Sequence, residues 1–236
     1  MDQPIAVVTG AAGGVGSACV AEFAAAGFWV VGADVKPESS AAEHLQVDMA
    51  SPECGEEIAS GLAGRAVAVL VNNAAVGADA ALLDASLESW ETTMSVNLRA
   101  PWLVAKALHR NLAAGRTGSI VNVSSVHALA SSAGVGVYAA SKAGLVALTR
   151  AMALEWAPQV RANCVLPGAV DTPMLRYGLE RTRQTVEDIA GRHPLGRVGE
   201  PEEIARVVRF VATEASFMTG SALVVDGGVL SRLSSE

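Results

Sequence analysis

Tyr138 and Lys142 stand four residues apart in Tyr138-Ala139-Ala140-Ser141-Lys142, at the start of an Ala- and Leu-rich helical pattern. That spacing puts both side chains on one helix face. An ammonium held beside a phenol favours the phenolate and draws its pKa down from an ordinary value of about 10 toward working pH. Tyr138 is then a general base when an alcohol is oxidised and a general acid in the reverse direction. A Tyr-x-x-x-Lys pair also occurs on ordinary helix surfaces, so its neighbours decide its meaning. Ser124 and Ser125 follow the strand-like run Ser119 to Val123. A serine at the carboxyl edge of a strand, where open α/β sheets place ligands, can orient a substrate oxygen and stabilise charge on it. The same pair also suits a plain turn.

A second group of residues has the chemistry of a dinucleotide site. In Thr9-Gly10-Ala11-Ala12-Gly13-Gly14-Val15-Gly16, glycines fall where the chain must turn tightly and let backbone N–H groups approach a pyrophosphate. The helix that follows adds a dipole favourable to the anion. Asp34, eighteen residues after Gly16, ends the next strand, where a carboxylate accepts hydrogen bonds from both adenosine ribose hydroxyls and repels a 2′-phosphate. No Lys or Arg lies within Gly10 to Gly16, and Val35 follows the acid, leaving Lys36 as the nearby cation. The combination points to NAD over NADP.

These residues need elements to position them. Short β-branched runs alternate with longer Ala-rich helical patterns, the mark of repeated βαβ units. Strands are expected at Ile5–Thr9, Trp29–Asp34, Leu45–Asp48, Val67–Val71, Ser119–Ser124, Val160–Leu166 and Ala222–Asp226. Helices are expected at Gly14–Ala26, Pro52–Gly61, Leu87–Ala114, Val137–Ala157 and Pro201–Thr213. About ten residues, Val35 to His44, join the second and third strands, fewer than a parallel crossover usually takes. A reduced or missing helix follows. Asp171 to Gly199, punctuated by Pro173, Gly178, Gly191 and Pro194, reads as an irregular substrate lid.

Composition bounds the rest. The 236 residues suit one domain, and 51% apolar residues with few aromatics suit a parallel sheet covered on both faces. A net charge of -7 without a basic block argues against nucleic-acid binding. The uncharged stretches Pro4–Ala21 and Thr117–Ser141 are interrupted by Gly, Ser, Asn and Thr, so neither reads as a membrane span. Met1-Asp2-Gln3-Pro4 lacks a secretory start, and Cys19, Cys54 and Cys164 form neither a disulfide framework nor a metal-ligand spacing. A cytoplasmic protein with structural cysteines and no metal is expected.

Taken together these motifs resemble, over essentially the whole length, the compact single-domain branch of the short-chain dehydrogenase/reductase family. The matching residues are Thr9 to Gly16, Asp48, Asn72-Asn73-Ala74, Asn97, Ser125, Tyr138, Lys142 and Pro167-Gly168 with Thr172. The thirteen-residue spacing to Tyr138 usual in the family selects Ser125 over Ser124. The resemblance implies an α/β, Rossmann-like doubly wound sheet of seven parallel strands and a tetrad of Asn97, Ser125, Tyr138 and Lys142. It implies NAD contacts at Gly10, Gly13, Gly14, Val15, Gly16, Asp34, Asp48, Met49, Asn73, Ala74, Ala75, Tyr138, Lys142, Pro167, Gly168, Val170 and Thr172. Lys142 would also bind the nicotinamide ribose, and the Asn97 carbonyl would hold a water leading to Lys142. Pro101, four residues on, supplies an independent reason, because it has no N–H to occupy that carbonyl. A homotetramer is implied too, with Leu87–Ala114 and Val137–Ala157 at one interface and Val224–Leu233 at another. Ala75 departs from the family's usual Gly, and the short Val35–His44 connection leaves the adenine side more open.

The expected reaction interconverts a secondary alcohol and a ketone: a sugar, polyol, hydroxy acid, cyclic alcohol or steroid. His127 lies where it can face substrate, alongside Ser125 and Tyr138. In the lid, Met174, Leu175, Tyr177 and Leu179 suggest an apolar cover, or helix packing, and Arg176 could meet an anion. His193 reads as structural. A dinucleotide sensor without turnover would lack the Tyr or Lys, and an epimerase or dehydratase usually needs a larger substrate domain.

Overall fold

In the computed structural model, which describes residues 3–77, 80–114 and 118–232, seven strands form one parallel sheet in the order β3-β2-β1-β4-β5-β6-β7. Strands β1 (Ile5–Thr9) and β2 (Trp29–Asp34) occupy their expected spans. β4 (Val69–Asn72), β5 (Gly118–Val123), β6 (Val160–Pro167) and β7 (Ala222–Val225) differ from expectation by one or two residues at an end. β3 is Glu43–Gln46, two residues earlier than expected, because it pairs with β2 from Val31↔Glu43 to Asp34↔Gln46 and stops where β2 stops. Asp48 therefore lies beyond the strand end.

Alternation along each strand divides the core between the two faces. Ile5 and Val7 of β1 face a layer that includes α2 (Cys54–Leu62), while Ala6 and Val8 face α1 (Gly14–Ala25) and α9 (Pro201–Thr213). The short connection behaves as its length predicts, since residues 35–42 carry no helix. His44 clips it instead, with Nδ1 bonded to Ser39 Oγ and Nε2 to the Lys36 carbonyl, both at 2.9 Å. A Cβ on Gly32 would stand 2.8 Å from Ser39 Oγ and 2.9 Å from Ala41 Cβ. The loop thus covers the part of β2 that a crossover helix would otherwise cover.

Two expectations need correction. Leu87–Ala114 is not one helix: α3 (Leu87–Met94) passes through a π-helical turn at Ser95–Arg99 into α4 (Ala100–Ala107) and α5 (His109–Ala113). In the π turn the Ala100 N–H bonds the Ser95 carbonyl five residues back. Pro101 has no N–H for the Asn97 carbonyl, so the chain cannot keep an unbroken α pattern there. The segment expected as a lid, residues 171–199, is not irregular either, since it holds α7 (Pro173–Thr182) and α8 (Val186–Ala190). Pro173 punctuates by starting a helix, because its fixed φ and missing N–H suit the first helical position. Thr172 caps α7 by accepting from the Leu175 N–H at 3.2 Å, and Thr185 with Asp188 forms a capping box on α8. Between β5 and β6 runs α6 (Gly136–Trp156), close to its expected span. Among the described residues no helix is long and apolar enough to cross a membrane.

Candidate active site

The strand order reverses between β1 and β4, and at such a switch point the carboxyl ends of neighbouring strands open a crevice. Thr9, at the end of β1, accepts hydrogen bonds from the N–H groups of Asn73 (3.0 Å) and Ala74 (3.2 Å). Asn73 returns two bonds through Nδ2, to the carbonyls of Thr9 (3.1 Å) and Gly10 (3.2 Å). The glycine turn is thereby tied to the chain leaving β4, where Ala75 follows half-buried. Thr9 belonged to the motif but not to the expected contacts; its place as the last residue of a buried strand was the available signal.

Gly10 has φ +67°, and a Cβ there would lie 2.8 Å from Ala74 Cα, so both conformation and space require glycine. A Cβ on Gly16 would overlap the Gly10 carbonyl. Gly13 caps α1 with no side-chain hydrogen bond, and the first turn, with Gly14, Val15 and Gly16, carries no acid. These N–H groups and the helix dipole suit a pyrophosphate. Asp34 is buried, its Oδ2 accepting from the Ala12 N–H at 2.9 Å and its Oδ1 from the Lys36 N–H at 3.0 Å. An ionised carboxylate with one bond on each oxygen retains lone pairs for ribose hydroxyls. Beside it opens a cavity of about 500 Å³ lined by Ala11, Ala12, Ser17, Lys36, Ser39 and Ser40. Asp48 is exposed and accepts from the Ala50 N–H at 2.8 Å, and Met49 is buried in the core. The residues present fit a nicotinamide dinucleotide.

At the other end of the crevice the two serines separate. Ser124 Oγ donates to the Lys142 carbonyl at 2.9 Å and so fastens the end of β5 to α6. Ser125 caps the short turn Val126–Ala128, its Oγ accepting from the His127 N–H at 3.2 Å, an arrangement that leaves the hydroxyl proton to be donated. The His127 ring meets Tyr138 edge to face, with centroids 6.1 Å apart, and burial pushes the imidazole pKa below its ordinary value. Lys142 is wholly buried; its Nζ donates to the Val123 carbonyl at 2.9 Å and lies 5.6 Å from the centre of the Tyr138 ring. Burial pushes its pKa down to about 8. Asn97, in the π turn, is fully buried, and its side chain bonds both the N–H and the carbonyl of Val76 at 2.9 Å. Phenol, ammonium and imidazole thus gather at one end of the sheet with the Ser125 hydroxyl on the adjoining turn, an arrangement that can exchange a proton with a substrate oxygen.

The end of β6 and residues 168–199 follow. Pro167 pairs with Val225, the Gly168 N–H donates to the Val225 carbonyl at 2.9 Å, and Val170 bridges to Gly199. A Cβ on Gly14 would stand 2.6 Å from Thr172 Cγ2, so the residue that caps α7 touches the start of α1. Met174 and Tyr177 are exposed, whereas Leu179 is buried. Arg176 is exposed and pairs with Asp171 at both carboxylate oxygens, each at 2.8 Å. Its position five residues after Asp171, on the first turn of α7, was the signal for that pairing. His193 is buried, with Nδ1 bonded to the Ile189 carbonyl at 2.9 Å and Nε2 accepting from the Ala169 N–H at 3.3 Å. All three cysteines are free and buried; burial holds Cys19 up at about 12 and Cys164 at about 11, so neither is a ready thiolate. Among the described residues no His, Cys, Asp and Glu cluster could hold a metal ion.

A family model described as enoyl-(acyl carrier protein) reductase matches residues 10–230. An uncharacterised short-chain type dehydrogenase/reductase of Sinorhizobium fredii is 41% identical over 96% of the chain, which spans only 44% of that relative's length. The 3-oxoacyl-[acyl-carrier-protein] reductase of Thermotoga maritima is 35% identical over 98% of this chain and 99% of its own. Among solved structures, ligand-free aldohexose dehydrogenase of Thermoplasma acidophilum superposes with a TM-score of 0.93 at 31% identity, covering 98% of this chain and 96% of that one.

Proposed function

Because the chain belongs to the short-chain dehydrogenase/reductase family, we propose that it is an NAD-dependent oxidoreductase interconverting a secondary alcohol and a ketone. The observation that carries this reading is the placing of Tyr138 beside a buried Lys142 at the crevice end of the sheet. When bound, the dinucleotide supplies the acceptor, or in reverse the donor, of a hydride at the carbinol carbon. Tyr138 takes the alcohol proton. Lys142 favours the phenolate and holds the nicotinamide ribose, and Ser125 donates to the reacting oxygen as its charge develops. The Asn97 carbonyl holds the water that passes the proton from Lys142 toward solvent.

NAD is favoured over NADP by Asp34, whose buried carboxylate would repel a 2′-phosphate. The substrate is held by Ser125, Tyr138 and His127, under the lid of residues 171–199 with Met174 on its cover. The whole chain acts as a single catalytic unit, a cytoplasmic homotetramer. The Thermotoga relative favours a second reading, reduction of a 3-oxoacyl thioester by the same residues run backwards. A screen of sugars, polyols, hydroxy acids and cyclic alcohols with NAD and NADP, and of 3-oxoacyl thioesters with the reduced forms, separates these by reduced-nicotinamide absorbance. Turnover of an alcohol with NAD supports the first reading. Equal kinetics with both cofactors would refute the role given to Asp34.

A further inference from the structure

Ser141 lies between the two reactive residues of α6, one turn beyond Tyr138 and directly before Lys142. It is wholly buried. Its neighbours in sequence, Ala139, Ala140 and Ala143, are strong helix formers, whereas a serine inside a helix lowers the intrinsic propensity. The hydroxyl must therefore be explained by its bonds. Ser141 Oγ donates to the Tyr138 carbonyl at 2.7 Å and accepts from Asn97 Nδ2 at 3.1 Å. The rest of the Asn97 amide is taken by Val76, whose N–H donates to Oδ1 and whose carbonyl accepts from Nδ2, both at 2.9 Å.

These bonds form a directed chain from the Asn97 amide through the Ser141 hydroxyl to the Tyr138 carbonyl. A hydroxyl has one proton; given to Tyr138, it leaves only lone pairs for Asn97, so the amide must present its N–H to Ser141. That choice fixes which way the amide faces Val76. It therefore ties together three segments: the chain leaving β4, the π turn, and the turn of α6 that bears Tyr138 and Lys142. An alanine would fit the space but strand an Asn97 N–H where water cannot reach it.

We propose that Ser141 is a positioning residue for proton transfer, holding Asn97 and its π turn in register with the Tyr138–Lys142 turn of α6. The proposal rests on the tetrad reading above and adds a member that acts through Asn97. The titratable groups around the phenol are Lys142, His127 and, behind Lys142, Cys164. Loosening the register changes how Lys142 faces Tyr138 while leaving the other two in place.

The chain has two tyrosines, Tyr138 and Tyr177, so a Tyr177→Phe background leaves one phenol to follow by 13C-tyrosine NMR as pH is raised in saturating NAD. Ser141→Ala should raise the Tyr138 midpoint by about half a pH unit or more. On the best alcohol from the screen kcat should fall about 5- to 30-fold, the consequence of one lost buried hydrogen bond. The KM for NAD should change little. In an Asn97→Ala background, Ser141→Ala should add no further shift, because the residue acts through Asn97. Ser141→Cys keeps the volume with a weaker hydrogen bond, should fall between Ser and Ala, and serves if the alanine variant fails to fold. An unmoved midpoint with wild-type kcat, or independent effects in the double variant, would overturn the proposal. Tyr138→Phe separates the two levels: an active Tyr138→Phe enzyme sinks the tetrad itself, whereas an inactive one beside an unaffected Ser141→Ala sinks only the role of Ser141.

Discussion

Lys142 shows how a buried charged side chain can oppose the stability of the fold that holds it. Its ammonium is buried with one carbonyl bond to Val123, and its pKa stands at about 8 against an ordinary 10.5. Between those values the unfolded chain holds a proton that the folded chain has shed, so stability rises with pH across that window. Below about pH 8 the folded state bears the full penalty, on the order of 3 kcal/mol. Lys142→Met should therefore melt higher than wild type at pH 7 without nucleotide, lose that advantage above about pH 10, and show no turnover. Calorimetry across pH checks it, and a variant melting lower at pH 7 would refute the buried-charge penalty. Tyr138→Phe should keep NAD affinity, by titration calorimetry, yet lose turnover at least about a hundredfold, the lower range for general acid–base catalysis. Helical spacing marked the Tyr138–Lys142 pair, and the family resemblance selected Ser125 over Ser124. The bonds that separate the two serines were not legible, because they depend on where α6 lies against β5.

Among the elements, the lid and the third helical stretch departed most from periodicity. In Leu87–Ala114 the apolar pattern runs through Pro101 without a break, but hydrogen bonding does not, and the π turn is the result. In the lid, prolines and glycines looked like loop residues, and capping by Thr172 and Thr185 turned them into helix boundaries. His193 joins the end of α8 to the turn after β6, through Ile189 on one ring nitrogen and Ala169 on the other. Nδ1 thus faces a carbonyl and Nε2 accepts an N–H, so each ring nitrogen has its own tie. His193→Ala should break both ties, raising hydrogen exchange in residues 167–172 and 186–191 and weakening NAD binding several-fold, roughly the effect of one net hydrogen bond. Unchanged exchange in both segments would count against a latch.

For the whole molecule, the exposed apolar residues fall into several regions, and Trp29, Leu83, Tyr177 and Leu195 lie apart from the helices and strand considered next. Leu87, Trp90, Trp102 and Leu154 lie on α3, α4 and α6, while Phe217 and Val224 lie by the outer strand β7. Leu87, Trp90, Trp102, Leu154 and Val224 fall within the segments expected at the interfaces of a homotetramer, Phe217 does not, and Leu233 lies outside the described residues. Sedimentation should give a tetramer at micromolar concentration. Trp102→Asp and Val224→Asp should each reduce it to dimers, by placing a charge in an apolar contact. A wild-type monomer in the same experiment would dismiss the assembly.

What the sequence determined by itself was set by local pattern: the seven strands from short β-branched runs, the glycine turn, Asp34 at a strand end, and the Tyr138–Lys142 pair from helical spacing. Such features depend on a few adjacent residues and on backbone geometry, which a linear reading contains. Only the tertiary structure decided which long-range partners each polar group takes. Asn72 donates to Asn122 at 2.8 Å and Asn122 to Thr149 at 2.8 Å, across β4, β5 and α6. Ser141 reaches Asn97 forty-four positions away. A buried donor must find its acceptor within hydrogen-bond distance, and that distance is set by how the sheet and helices pack rather than by the order of residues along the chain.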